Sequence, residues 1–378
     1  MFQLLFFIEK INSRKYINVK QVIELLGISI YLSQTIEQQK AYIKMMREHG
    51  FTSIFTSLHI PEDDHSNYGD QLKKLANLAK ELDMELMADI SPDSLKTLGY
   101  NWKNAEGLRD IGLTGLRIDY GVDEQTIIDL SKKMKIAINA STIPFDSLKR
   151  MKKNGLVVES VEAWHNFYPR PETGLGLTHF IEQNKKLKAE GITVMAFIPG
   201  DESLRGPLFM KLPTLEKHRH ESPFAAFLEM RHDAFVDKIL IGDHSIRSES
   251  LAQFKDYKQG VITLRAIPSR HISQSVDKVA GIHTNRADFA RDCIRSVESR
   301  HYAAIGEDGL QPENCVERLV GSITIDNTKY LRYQGEIQIT VNDLPADEKV
   351  NVLGRVIDAD RPLLNRIKGN KRFKIEWI

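Results

Sequence analysis

The chain has 378 residues, too many for one average domain, so two are expected. Hydrophobic residues make up 42% and charged residues 27%, which describes an ordinary globular protein. A net charge of +1 argues against a nucleic-acid partner, and two cysteines argue against a disulfide scaffold or a structural zinc and fit a reducing cytoplasm.

In chain order, MFQLLFFI (1–8) is apolar but short, with no basic residue before it and no small-residue cleavage site after it. Residues 1–24 are therefore expected to be an extension outside the fold, and no run is long enough for a bilayer span. From Leu25, apolar runs alternate with amphipathic stretches. Strands are expected at LLGISIYL (25–32), FTSIFTSLHI (51–60), MELMADI (84–90), GLRIDYG (115–121), KIAINAS (135–141), VEAWHNF (161–167), ITVMAFIPG (192–200) and DKILIGD (237–243). Helices are expected between them, for example TIEQQKAYIKMMREHG (35–50), which Gly50 stops. Eight βα units argue for a parallel sheet closed into a (β/α)₈ barrel ending near Lys258.

Composition then changes. GVITLRAI (260–267), LVGSITIDN (319–327), YQGEIQITV (333–341), VNVLGRVI (350–357) and FKIEWI (373–378) read as strands, with one helix expected at DFARDCIRSV (288–297). Residues 259–378 are thus expected to form a small β-barrel domain after a catalytic domain at 25–258.

The active site of such a barrel lies at the C-terminal ends of its strands. The polar residues there are Asp89, Asp119, Asn139, Ser141, His165, Asn166, Asp201 and Asp243. Asp89 and Asp119 each end an apolar strand, with Met87 and Arg117 two residues back, so both can face inward. On adjacent strands two carboxylates are about 5 Å apart, as retaining glycosidases require. The alternative is pairing with Arg117; Ser91 and Asp93 are better helix caps than Asp89. Apolar neighbours behind Asp89 suit a proton donor, and Asp119 then attacks or stabilises; the roles are exchangeable, and Glu162 or Asp201 are alternatives.

The loop HNFYPRPETGLG (165–176) carries far more polarity than a connector needs. His165, Asn166, Tyr168, Arg170 and Glu172 are expected to contact a ligand, with Arg170 held between Pro169 and Pro171 for an anion. Asp201 and Arg205 follow strand seven as further candidates. His218, Arg219 and His220 read as a solvated basic segment, and no motif indicates a metal or cofactor. What remains is carboxylate chemistry on a small neutral or anionic substrate, which sugars fit best.

HNFYPRPETGL together with LMADISP, LRIDYG, INAST, FIPGD with RGP downstream, and DNTKYLRYQGEIQI resembles the bacterial 6-phospho-N-acetylmuramidases from about residue 25 to the end. The resemblance implies a (β/α)₈ TIM barrel followed by a cyclophilin-like β domain. It also implies a cytoplasmic glycosidase of cell-wall recycling, which cleaves MurNAc 6-phosphate-β-1,4-GlcNAc and needs no cofactor. Such a substrate carries two anions. Arg170 is expected to meet one, and the second domain offers Arg265, Arg270, Arg286 and Arg291, with Asn285 and Arg286 just before the expected helix. The competing readings are another phosphosugar enzyme binding phosphate after strands seven and eight, a carbohydrate-binding surface protein, and a prolyl isomerase in the last domain.

Overall fold

In the computed structural model the described residues are 26–58, 68–118, 122–270, 279–299 and 309–378. The extension 1–24 lies outside them. Eight parallel strands close in sequence order: β1 (Leu26–Ser29), β2 (Ser53–Ser57), β3 (Glu85–Ile90), β4 (Gly115–Ile118), β5 (Lys135–Asn139), β6 (Val161–Trp164), β7 (Thr193–Ile198) and β8 (Lys238–Ile241). β1 pairs with both β2 and β8, which closes the barrel.

The helices between them are α1 (Ile36–Glu48), α2 (Tyr68–Glu81), α3 (Pro92–Thr97), α4 (Leu108–Ile111), α5 (Glu124–Ser131), α6 (Phe145–Lys153) and α7 (Leu177–Ala189). Local sequence explains their starts. Thr35 and Gln38 form a reciprocal capping box at α1, and Ser91 and Ser94 form one at α3, with Pro92 in its first turn. Gly50 follows α1 with φ +88°, a left-handed conformation that favours glycine. The long insert after β7 holds a helix that the sequence reading did not separate, α8 (Pro223–His232).

Strand alternation sorts the barrel interior into three layers. At the bottom, Glu85 accepts from Lys135 and Lys238, and Glu162 lies 3.2 Å from both. Ser53 and Trp164 Nε1 donate to Glu85 and Glu162 at 2.8 and 2.6 Å. Burial pushes the Glu85 carboxyl up, but the two ammonium groups overcome it and hold it down at about 2. The middle layer is apolar: Phe55, Met87, Ala137, Trp164, Met195, Phe197 and Leu240. Gly115 is required here, since a Cβ would meet Met87 Sδ at 2.5 Å and Lys135 O at 2.6 Å. The top layer is polar and holds the candidate site.

Packing divides the chain into two compact units, residues 1–219 with 226–247, and residues 220–225 with 248–378. The second unit contains α9 (Ser248–Lys258) and a seven-stranded, nearly closed sheet. Its strands are β9 (Val261–Pro268), β10 (Gly281–Thr284), β11 (Cys293–Arg295), β12 (Ser322–Asp326), β13 (Ile337–Thr340), β14 (Val350–Val356) and β15 (Arg372–Trp377). Their order is β10-β15-β9-β14-β12-β13-β11, antiparallel except for β15 with β9. Arg265 is buried, forked onto the buried Asp360, and also donates to Ser250.

The helix expected at 288–297 is not there. Ile294 is buried between half-buried Cys293 and Arg295, a two-residue period, and β11 pairs with β13. The spacing of Phe289, Cys293 and Val297 suggested a helix, yet Phe289 is exposed; pairing to a sheet edge overrode the local pattern.

At the end of β12, the Asp326 amide donates to Glu336 O and the Asp326 carbonyl accepts from the Gly335 amide. The Asp326 and Glu336 side chains are buried, 5% and 7% exposed. None of the hydrogen bonds among described residues reaches the Asp326 carboxyl. Burial, with Glu336 and Asp347 nearby, pushes it up to about 8, against a smaller pull from Arg318.

Candidate active site at the C-terminal end of the barrel

The top layer follows from the strand period. Asp89 shares its face with Glu85 and Met87, and Arg117 shares its face with Gly115. The register places Asp89 beside Arg117. Arg117 Nη1 donates to Asp89 Oδ1 at 2.7 Å, and Nη2 donates to Asn166 Oδ1 at 2.5 Å. Ser57 Oγ reaches the other Asp89 oxygen at 3.4 Å. One buried guanidinium therefore joins the ends of β3, β4 and β6.

Asp89 has Met87 behind it and Arg117 as its lateral neighbour, the pairing that the sequence offered as the alternative. Register, not strand adjacency, decides which side chains meet. A charged hydrogen bond ties the Asp89 carboxylate to the guanidinium. Asp119 lies outside the described residues.

His165 does not face the mouth. Trp164 points inward, so the next side chain turns toward α7. Its Nε2 meets Asn184 at 2.7 Å, its Nδ1 meets Ser141 at 3.1 Å, and its ring packs on Phe180. Burial, opposed by the Asn184 hydrogen bond, lowers its pKa to about 4 and keeps the ring neutral. Both nitrogens are occupied, so His165 positions β6 rather than touching a ligand. Asn139, at the end of β5, accepts from the Ser141 amide at 3.0 Å.

The strand-six loop is held from behind by two residues that the sequence reading placed in solvent or passed over. Arg219 is 3% exposed. It forks onto Glu216 at 2.6 and 2.8 Å and donates to the carbonyls of Tyr168, Met210 and Lys211. Glu216 in turn accepts from the amides of Glu172 and Gly174. Its hydrogen bonds with Arg219 hold the Glu216 carboxyl down at about 2. Gly174 must be glycine, because a Cβ would lie 2.6 Å from that carboxylate. His218 is buried too and meets Glu229 at 2.8 Å. Of the expected solvated segment, His218 and Arg219 are thus buried, Arg219 as a clasp with Glu216, while His220 is exposed.

With the clasp set, Asn166 faces Arg117, Phe167 caps the apolar layer beneath, Tyr168 is half-buried and Arg170 is exposed. Glu172 is exposed with φ +71°. Asp201 accepts from the Arg247 amide at 2.9 Å. Asp243 is buried, and its carboxylate collects the amides of Gly200, Arg205 and Leu212, which ties the insert to β8. Tyr31, two residues past β1, donates to Gly242 O at 2.5 Å and escaped the sequence reading altogether.

Two expected ligand contacts in the second unit are engaged within it. Asn285 is 1% exposed, donates to Ile367 O and accepts from the Arg295 amide. Arg286 is forked onto Asp288 at 3.0 Å, with no helix N-terminus beside it. Among the described residues no three His, Cys, Asp or Glu ligand atoms converge at the strand ends.

Residues 26–256 match the N-terminal part, and residues 262–376 the C-terminal part, of the 6-phospho-N-acetylmuramidases. The chain belongs to this family. It is accordingly a glycosidase, and the Asp89–Arg117–Asn166 group lies at the C-terminal ends of the barrel strands, the end at which barrels of this kind place their active sites. The chain is similar to the crystal structure of a conserved Enterococcus faecalis protein of unknown function, at 43% identity and a TM-score of 0.83, over 93% of this chain and 96% of that one. It is also similar to an uncharacterised B. cereus protein, at 25% identity and a TM-score of 0.69, over 93% and 99%. No curated protein shows significant similarity to the chain.

Proposed function

We propose that this 6-phospho-N-acetylmuramidase hydrolyses MurNAc 6-phosphate-β-1,4-GlcNAc to MurNAc 6-phosphate and GlcNAc, in the cytoplasm, during peptidoglycan recycling. The observation that carries the reading is the polar top layer centred on Asp89, Arg117 and Asn166 in a chain of this family. Sugar that is phosphorylated on entry is met inside the cell, which is the reason for the cytoplasmic assignment.

Glycoside hydrolysis needs one group to protonate the leaving oxygen and another to stabilise or attack the anomeric carbon. The ion pair with Arg117 favours the anionic role for Asp89. Asp119, two residues after Arg117 in the sequence, is then proposed as the proton donor. Phe167 offers an apolar platform for a sugar face, while Asn139, Asn166 and Tyr168 offer hydrogen bonds to hydroxyl and acetamido groups.

Incubation with the 6-phosphorylated disaccharide and with its unphosphorylated counterpart tests the reading. Release of MurNAc 6-phosphate and GlcNAc from the first, faster than cleavage of the second, is expected. Turnover of neither would remove the proposal.

A further inference from the structure

We infer that the substrate's phosphate is received by Arg205, with Lys211 as its companion, rather than by Arg170 of the strand-six loop. The inference rests on the proposed substrate and names the residues that set its specificity.

Among the cations around the barrel mouth, Arg205 has a distinctive setting. Arg117 is taken by Asp89 and Asn166, and Arg219 by Glu216 and three carbonyls. Arg205 has no carboxylate partner among the described residues. Its guanidinium lies over two rings instead, 4.7 Å from the centre of Tyr31 and 5.6 Å from that of Phe167. Those rings come from the ends of β1 and β6, and Phe167 rests on the apolar middle layer. The charge is therefore held directly above the barrel core. The rings and a hydrogen bond with the Tyr31 hydroxyl hold the guanidinium in place, and its remaining N–H donors stay available for an anion. The backbone is fixed as well, since the Arg205 amide donates to the buried Asp243.

Lys211 leaves the same insert, beside Leu212, whose amide also donates to Asp243. Burial lowers its pKa, with Asp201 and Asp243 acting to raise it, and none of the hydrogen bonds among described residues takes its ammonium. Two cations on one anchored segment suit a phosphate monoester, which carries nearly two negative charges near neutral pH, better than a lone carboxylate. The segment follows β7 and is tied to the end of β8, where barrels of this kind commonly bind phosphate. Arg170, by contrast, is exposed, and only its carbonyl is engaged by the clasp.

The test is the ratio of kcat/KM for the phosphorylated over the unphosphorylated disaccharide, in wild type, Arg205→Ala, Arg205→Lys, Lys211→Met and Arg170→Ala, each shown to melt as a folded protein. Arg205→Ala should reduce the ratio by about 10- to 100-fold, the range for losing a charged hydrogen bond, chiefly through KM. Arg205→Lys, which keeps the charge but not the planar fork, should fall between. Lys211→Met should lower the ratio less, and Arg170→Ala least. A ratio unchanged in Arg205→Ala, or one that collapses in Arg170→Ala instead, overturns the inference. Failure of the wild type to cleave the phosphorylated disaccharide overturns the proposed function, which is a separate result.

Discussion

Asp326→Asn should make the protein more stable, by an amount that grows with pH. The folded chain holds this carboxyl at about 8 against an ordinary value of 3.8, mainly through burial. Between these limits the unfolded chain has released a proton that the folded chain retains. Stability therefore falls as pH rises, by about 1.4 kcal/mol per unit, and levels off once pH passes the folded value. The loss is nearly absent at pH 4, about 3 kcal/mol at pH 6 and about 4 kcal/mol at pH 7. Asparagine has the same shape and no charge, so it removes that dependence. Urea unfolding of wild type and variant at pH 4, 5, 6, 7 and 8 isolates the effect, because every other titrating group cancels in the difference. On heating, the transition that includes the second unit should rise by on the order of 10 °C at pH 7. A difference that does not change with pH, or a variant less stable than wild type at pH 8, would refute the reasoning and show that the fold uses the Asp326 charge.

Three further outcomes are expected. Arg219→Met breaks a buried ion pair and strands the carbonyls of Tyr168, Met210 and Lys211, so it should cost about 3–5 kcal/mol by urea unfolding and speed proteolysis within 165–176. Asp89→Asn should melt like wild type while kcat falls by ~10³ or more, and an aryl glycoside should not restore it; Asp119→Asn should lose as much but recover part of the rate on that substrate, because its leaving group needs no proton. His165→Asn should lower the melting temperature and leave KM nearly unchanged, and any limb of kcat/KM near pH 6 should be the same in wild type and variant, since burial holds His165 neutral down to about 4.

The barrel was legible because each of its strands is a short apolar run followed by a helix with its own start or stop residue, as at Thr35 and Gly50. The inward face of β3 and β6 was legible too, which placed Asp89 and Asn166 at the strand ends, where both meet Arg117. Register was not. Nothing local in MELMADI and GLRIDYG says that Asp89 lies beside Arg117, because strand pairing is set by closure of the whole sheet. His165 was misread for a simpler reason: a strand end offers two directions, and one residue past Trp164 is the outward one. Arg219 and Glu216 could not be found by composition, since a charged pair that ties loop carbonyls together has the same sequence signature as a solvated one. The second unit shows the same limit at 288–297, where helical spacing lost to an available sheet edge.

The salt-bridged floor of the barrel bears on how turnover ends. Glu85, Lys135, Glu162 and Lys238, with the apolar layer above them, leave no passage through the interior. Substrate enters and both products depart on the same side of the sheet. The incoming water must also arrive from that side. With the phosphate gripped as proposed, free MurNAc 6-phosphate should compete with fresh disaccharide at that shared mouth, while GlcNAc should not.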